Sequence, residues 1–357
     1  MPHASPISMV TASERPPTPS AFRNFVEGME RFNNYLRSDD GEELQAATKA
    51  FASAASLDPS FILARFHQAV AFGHIRQEED AIRIFEELVF QAPPFLPEIY
   101  YNLGQAYLHT YRYAEVLKAQ DAFERAEAIA REDDRVYLMF LARASKVLLY
   151  GVLGGRELRH PKDFEERKTT CLPAGERLGN EVLADGKILR SLNKREKDDV
   201  YLEAHNGLGV VYMRMGQYAE PLKRERTDMW KWSEAQFEAC LNIQPTLTPT
   251  LHNLGTLHRI QGQYLWRTGK IEDAKQQFCK AREYYVEALR INRHDQFPYH
   301  AAAACSVYLE DWPAASEYLS AGLKERGQVR KELWERLEKA ISSKDANVLA
   351  SEEAGEA

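Results

Sequence analysis

From Met29 to Ile341 the chain alternates apolar stripes, at three- and four-residue spacing, with short polar breaks. That spacing predicts amphipathic α-helices in close succession. Ala47, Phe51, Ala54 and Pro59 recur 34 residues on as Ala81, Phe85, Leu88 and Pro93. Proline in register behind two apolar-periodic segments marks two equivalent helix ends. A second periodic segment precedes each, Met29 to Leu36 and Ile62 to Phe72, so the unit is helix, turn, helix. First helices also carry Asn102-Leu103-Gly104 with Tyr107, Leu208-Gly209 with Tyr212, and Asn253-Leu254-Gly255 with His258. A glycine there lets the partner helix approach, and an aromatic one turn on fills the space beside it. Phe123 with Ala126, Phe237 with Pro245 and Tyr285 with Ala288 follow on the second helices, and Ala302-Ala303 with Ala315, Leu319 and Gly322 mark a last unit.

This pattern resembles the tetratricopeptide repeat family over about Gly28 to Gly327. The resemblance implies an all-α fold, a right-handed α-solenoid of about seven hairpins whose first helices line a concave groove. Residues 1–20 and 343–357 are expected to be disordered tails, residues 21–327 the array, and residues 328–342 a capping helix with its stripe at Val329, Leu333, Trp334, Leu337 and Ile341. Three departures stand out. The third unit has a few extra residues near Tyr111 to Val116, and the fifth about twelve, around Glu220 to Trp232. The sixth has about fourteen, which predicts two elongated helices projecting from the array, with Tyr264, Trp266, Phe278 and Tyr284 as their own seam. The fourth unit is irregular. After a clear helix from Arg135 to Tyr150, residues 151–173 are broken by Gly154-Gly155, Pro161 and Pro173, and helix resumes from Gly175 to Lys194. Either a repeat has decayed there or one hairpin holds a long insert loop. The absence of any Leu-Gly or Ala-Phe signature favours the insert.

Composition narrows the class of function. Of 357 residues, 44% are apolar and 28% charged, with a net charge of −7, so the summed field does not draw the chain to nucleic acid or to an anionic membrane. No apolar run is expected to reach the ~18 residues of a membrane span. The start lacks the apolar core of a secretory signal. Cys171, Cys240, Cys279 and Cys305 have no metal-ligand or CxxC spacing, which suits free thiols in a reducing cytoplasm, with Cys171 in a loop. There is no P-loop, HExxH or GxSxG motif, and Gly151 to Gly155 follows a helix rather than a strand. A non-catalytic protein without metal or cofactor is expected. Lys223, Arg224 and Arg226 beside Trp230 and Trp232 would suit a nucleic-acid strand, but Glu220, Glu225 and Asp228 interrupt them. A solvated helix face is the simpler reading.

The groove then carries the functional expectation. The register assigns it Phe66, His67, Val70 and His74, then Tyr101, Asn102, Gln105 and His109. It adds Asn206, Val210 and Arg214, then His252, Asn253, Thr256 and Arg259, and last Phe297, His300 and Tyr308. Asn102 and Asn253 share one register position with Asn33, and an amide there either pairs with a bound backbone or orders the stack. The residues point to an adaptor that holds a protein or peptide segment. A peptide-responsive sensor and a regulatory subunit docking by its convex face or insert are the alternatives. Trp230, Trp232, Tyr264 and Trp266 are a possible partner or self-association surface. The many histidines predict binding that weakens as pH falls toward 6.

Overall fold

The computed structural model describes residues 16–38, 40–75, 77–91, 96–155, 163–186, 190–220, 222, 224–325, 329 and 331–349. The calls on residues 1–15 and 350–357, on Pro93, Pro161, Lys223 and on Gly327 lie outside them. The described residues are helical, without strands, and divide into two compact units, Met1–Met229 and Trp230–Ala357.

In the first unit α1 (Pro19–Ser38) pairs with α2 (Gly41–Leu57), α3 (Ile62–His74) with α4 (Glu78–Gln91), and α5 (Leu96–His109) with α6 (Tyr113–Glu132). Next come α7 (Val136–Leu153), α8 (Phe164–Ala184) and α9 (Lys194–Gln217), which pack on one another as a triplet. Helix α10 (Arg226–Ile243) begins at the division. The second unit continues with α11 (Thr248–Arg267) paired to α12 (Ile271–Ile291), α13 (Gln296–Tyr308) to α14 (Trp312–Gly322), and α15 (Lys331–Ser343) against both α13 and α14.

The hairpins close where a first-helix glycine meets a second-helix ring. A Cβ on Gly28 would stand 2.7 Å from the Phe51 ring, on Gly104 2.7 Å from Phe123, and on Gly255 2.6 Å from Tyr285. No side chain larger than hydrogen fits without movement, while Phe51, Phe123 and Tyr285 are fully buried. Burial of such a ring is worth about 1.5–3 kcal/mol. The long α11–α12 pair repeats the contact: seven residues beyond Gly255, Gly262 meets Phe278 at 2.9 Å. Two turns added to each helix thus bring their own copy of the joint. The extension does not project freely, however. Phe278 stacks on Tyr308 of α13 at 4.2 Å, and Trp266 lies 5.3 Å from the same ring, so the seam is shared with the next hairpin.

The fourth unit corrects the expected loop over residues 151–173. Leu153 is the last residue of α7 and Phe164 the first of α8, which has Pro173 inside it, so much of the expected loop is helix. The unit's glycine joints use aliphatic partners. A Cβ on Gly154 would stand 2.4 Å from Leu172 of α8, one on Gly179 2.5 Å from Leu208 of α9, and one on Gly207 2.8 Å from Val147 of α7. An aromatic signature therefore could not reveal it. Buried Glu127 ties α6 to α7, accepting from Lys146 at 2.6 Å and Arg143 at 2.9 Å as well as from Arg131 of its own helix. Helix α7 is also, by length and composition, apolar enough to cross a membrane, contrary to the sequence expectation; 61% of that window is buried inside the fold.

The ends differ from expectation as well. Helix α1 starts at Pro19, inside the expected tail, with the Thr18 hydroxyl accepting from the Ala21 amide. At the other end α15 buries Trp334, Leu337 and Ala340. Residues 344–349 fold back, burying Ala346 and Leu349, while Arg336 donates to the Val348 and Leu349 carbonyls. Cys171 lies within α8, half-buried, and burial raises its thiol pKa.

Gly104→Ala is expected to lower stability in urea unfolding by about 1–3 kcal/mol, as overpacking does. Combined with Phe123→Leu, the loss should fall short of the sum of the two single losses. Strict additivity would mean that the ring does not rest on the glycine.

Candidate functional site

On the first unit's first helices, α5, α7 and α9 present a polar network across an otherwise apolar contact. Gln105 of α5 donates to the Tyr101 hydroxyl at 3.0 Å and to Ser145 Oγ of α7 at 2.9 Å. Ser145 donates in turn to Glu203 of α9 at 3.4 Å. Tyr101, Gln105 and Ser145 are buried and form a floor. Around it stand half-buried Tyr137, Asp199, Glu203 and Asn206. Tyr137 donates its hydroxyl to Asp199 at 2.9 Å. Nearby, Arg135 donates to buried Glu98 at 2.7 Å and satisfies that charge.

Asp199 and Glu203 lack such a partner: neither makes an ion pair among the described residues. Burial raises both carboxyl pKa values above the ordinary range, and Asp199 adds a like charge to Glu203. A cation arriving at this rim would favour the charged form of both. The arrangement offers two carboxylates, an amide and a tyrosine on a rigid floor. Among the described residues no cluster of three His, Cys, Asp or Glu has metal-site geometry.

The sequence assignments divide against this geometry. Tyr101 and Gln105 belong to the floor and Asn206 to the rim. Asn102 is buried and donates to the Glu98 carbonyl of its own helix at 2.9 Å, so its amide orders α5 rather than facing a groove. Phe66 and His67 are core, not groove. His67 sits 5.5 Å from Phe51, 5.6 Å from Phe25 and 5.4 Å from Phe66, ring against ring. His74 takes its place beside Phe32 and Tyr35, with Nδ1 3.2 Å from the Tyr35 hydroxyl. His109 caps its own helix end through the Gln105 carbonyl, 2.7 Å away. Arg214 donates to Gln217, one turn along α9. Arg224 and Arg226, from the basic cluster, are engaged by Glu176 and by the Gln217 carbonyl.

In the second unit three assigned residues gather around one ring. His252 lies 5.5 Å from Tyr285, and Thr256 Oγ1 is 3.1 Å from the Tyr285 hydroxyl. Arg259 hydrogen-bonds the same tyrosine and bears on His300 by its charge. Asn253, half-buried, shares their helix. Trp230 is buried against Tyr264 at 5.7 Å and Trp266 against Tyr308, so both are packing residues; Trp232 and Tyr264 keep exposed surface.

Asp199, Glu203, Tyr137 and Ser145 escaped the register. The fifth first helix begins earlier than the Leu-Gly pair suggests, at an Asn193–Glu196 capping box. Asn-x-x-Glu is a readable start signal, and it brings Asp199 and Glu203 onto the helix one and two turns before Asn206.

No family model and no curated protein matches the chain. Solved structures align along most of it. A tetratricopeptide repeat protein from Parabacteroides merdae is 11% identical over 90% of this chain and 99% of that one, with a TM-score of 0.46. The TPR2AB domain of yeast Sti1, in a complex with pHSP90, is 13% identical over 90% and 98%, with a TM-score of 0.31. PilW, a type IV pilus biogenesis factor, is 16% identical over 85% and 92%, also at 0.31. The chain's own glycine–ring hairpins define its class: it has an all-α, tetratricopeptide-like fold.

Two of the assigned histidines do not support a loss of binding near pH 6. Burial lowers His67 to about 4, with both ring nitrogens unpartnered. Burial and the Arg259 charge lower His300 to about 4. Neither protonates near pH 6 in the folded chain. The unfolded chain takes up these protons below about 6.5, so stability is full above that pH and falls as pH drops toward 4. For His67 the slope is about 1.4 kcal/mol per pH unit. His67→Leu should flatten the acid side of the stability profile by about that amount, read by urea titrations from pH 7 to 4.5. An unchanged slope would place the proton uptake elsewhere.

Proposed function

We propose that the protein is a non-catalytic adaptor of the cytoplasm, holding a segment of a partner protein along the face of α5, α7 and α9. The observation that carries this reading is the pair Asp199 and Glu203, half-buried carboxylates without a salt bridge among the described residues, over a buried Tyr101–Gln105–Ser145 floor. Buried acids without cations destabilise a fold by themselves and gain most from a partner that supplies the charge. The segment that fits carries a Lys or Arg. Its neighbouring side chain lies on Tyr137, and its backbone meets the Asn206 amide, which both donates and accepts. The net charge of −7 favours approach of such a basic segment.

Random seven-residue peptides panned on the full chain should enrich Lys and Arg. The selected peptide should bind Asp199→Asn/Glu203→Gln on the order of tenfold more weakly, the scale of one lost charged hydrogen bond. Equal binding to the variant, or selection of acidic peptides, would overturn the proposal.

A further inference from the structure

Helix α1 carries two apolar stripes; one is buried, and the second packs on the core only through half-buried Met29. Ala21, Phe25, Gly28 and Phe32 face the core. One residue on, Phe22, Val26, Met29, Asn33 and Leu36 repeat the same four-three spacing about 100° around the helix. Phe22 is 50% exposed, Val26 48% and Leu36 40%. Among the described residues α1 packs on α2 and, through Phe25 and Tyr35, on α3, and an apolar face left outside a hairpin stack favours cover. The last helix of the second unit shows the contrast. Helix α15 turns a single apolar stripe inward, through Trp334 and Leu337, and leaves charge outside.

Four-three spacing is the seam of a two-stranded coiled coil. The residues flanking the exposed stripe on its solvent side are Arg23, Glu30 and Arg37, which make no ion pair among the described residues. We infer that this stripe is a self-association surface, on which α1 of a second copy of this chain lies antiparallel. Charge order selects antiparallel pairing and its register. An antiparallel two-fold brings this charged flank against itself. If α1 were paired so that Glu30 met its own copy, Arg23 would face Arg37 and every flanking contact would be repulsive. Shifted by one heptad, so that Val26 lies over Met29 of the second copy, Arg23 meets Glu30 twice by symmetry. That register also overlaps the two helices along nearly their whole length, from Pro19 to Leu36. Phe22 then falls opposite Asn33, a polar position within the seam of the kind that fixes register at some cost in affinity. Four helical turns form a small interface, at the weak end of specific association, so the dimer should form in the micromolar range. A parallel pair would instead bring the charged flank against the core side of its partner, where Phe25 and Phe32 are already covered.

Sedimentation equilibrium of the full chain from about 1 to 200 μM tests this, with circular dichroism as a check on folding. A monomer–dimer equilibrium is expected. Val26→Glu, at an exposed position, should weaken it at least tenfold while helicity is unchanged. Arg23→Glu alone and Glu30→Arg alone should each weaken it, and Arg23→Glu/Glu30→Arg should restore it. A chain that stays monomeric throughout, or a dimer indifferent to Val26→Glu, overturns the surface. Single charge variants without effect, or a double variant that fails to recover, overturn the antiparallel register. A chain that dimerises only after removal of residues 1–15 would show the stripe covered by its own N-terminal segment, and overturns the proposal for the intact protein.

Discussion

The distance between the two helices of a hairpin is the constraint on which the rest depends. Where Gly28, Gly104 or Gly255 meets a ring of the second helix, the pair closes to a spacing that no other residue permits. The ring is buried by that closure, and its burial supplies the stability that two short helices lack alone. The contact consumes one side of each first helix. A second side is taken by the neighbouring hairpin. What remains on a first helix is a narrow strip, and the polar residues of α5, α7 and α9 concentrate there.

That strip explains the division between structural and binding residues. Tyr101 and Gln105 lie deep enough to be buried, yet their polar atoms satisfy one another through Ser145. A satisfied network inside an apolar contact rigidifies the floor. The rim is a different case. Asp199 and Glu203 are half-buried without a salt bridge among the described residues, and burial raises their carboxyl pKa values although the Arg195 charge bears on Asp199. Glu98 and Glu127 show what compensation looks like in the same unit, each with one or more cations at hydrogen-bond distance.

The sequence made the hairpins legible because their joints use rare residues at fixed spacing: a glycine, then a ring about twenty to thirty residues on. Where the chain set a glycine against Leu or Val, as Gly154 at the end of α7 meets Leu172 and Gly179 and Gly207 meet Leu208 and Val147 between other helices of the triplet, the packing was invisible to a pattern of aromatics, and α8 was read in part as loop. The proline within α8 strengthened that misreading. Groove residues were legible only to within a turn. A register tells which helix face is which, but burial depends on how closely the next helix approaches. His67 and Asn102 occupy a nominally open face and are nevertheless enclosed. For Asp199 and Glu203 the obstacle was the helix start, which the Asn193–Glu196 box marks and the Leu-Gly pair does not.

Amide hydrogen exchange on the full chain, with and without a bound basic peptide, tests the central claim most directly. Binding along the strip predicts slowed exchange in α5, α7 and α9, centred on Tyr137 and on Asp199 to Asn206, with α4, α6 and α8 unchanged. Protection confined to the second helices, or to the unit beyond Trp230, would contradict it.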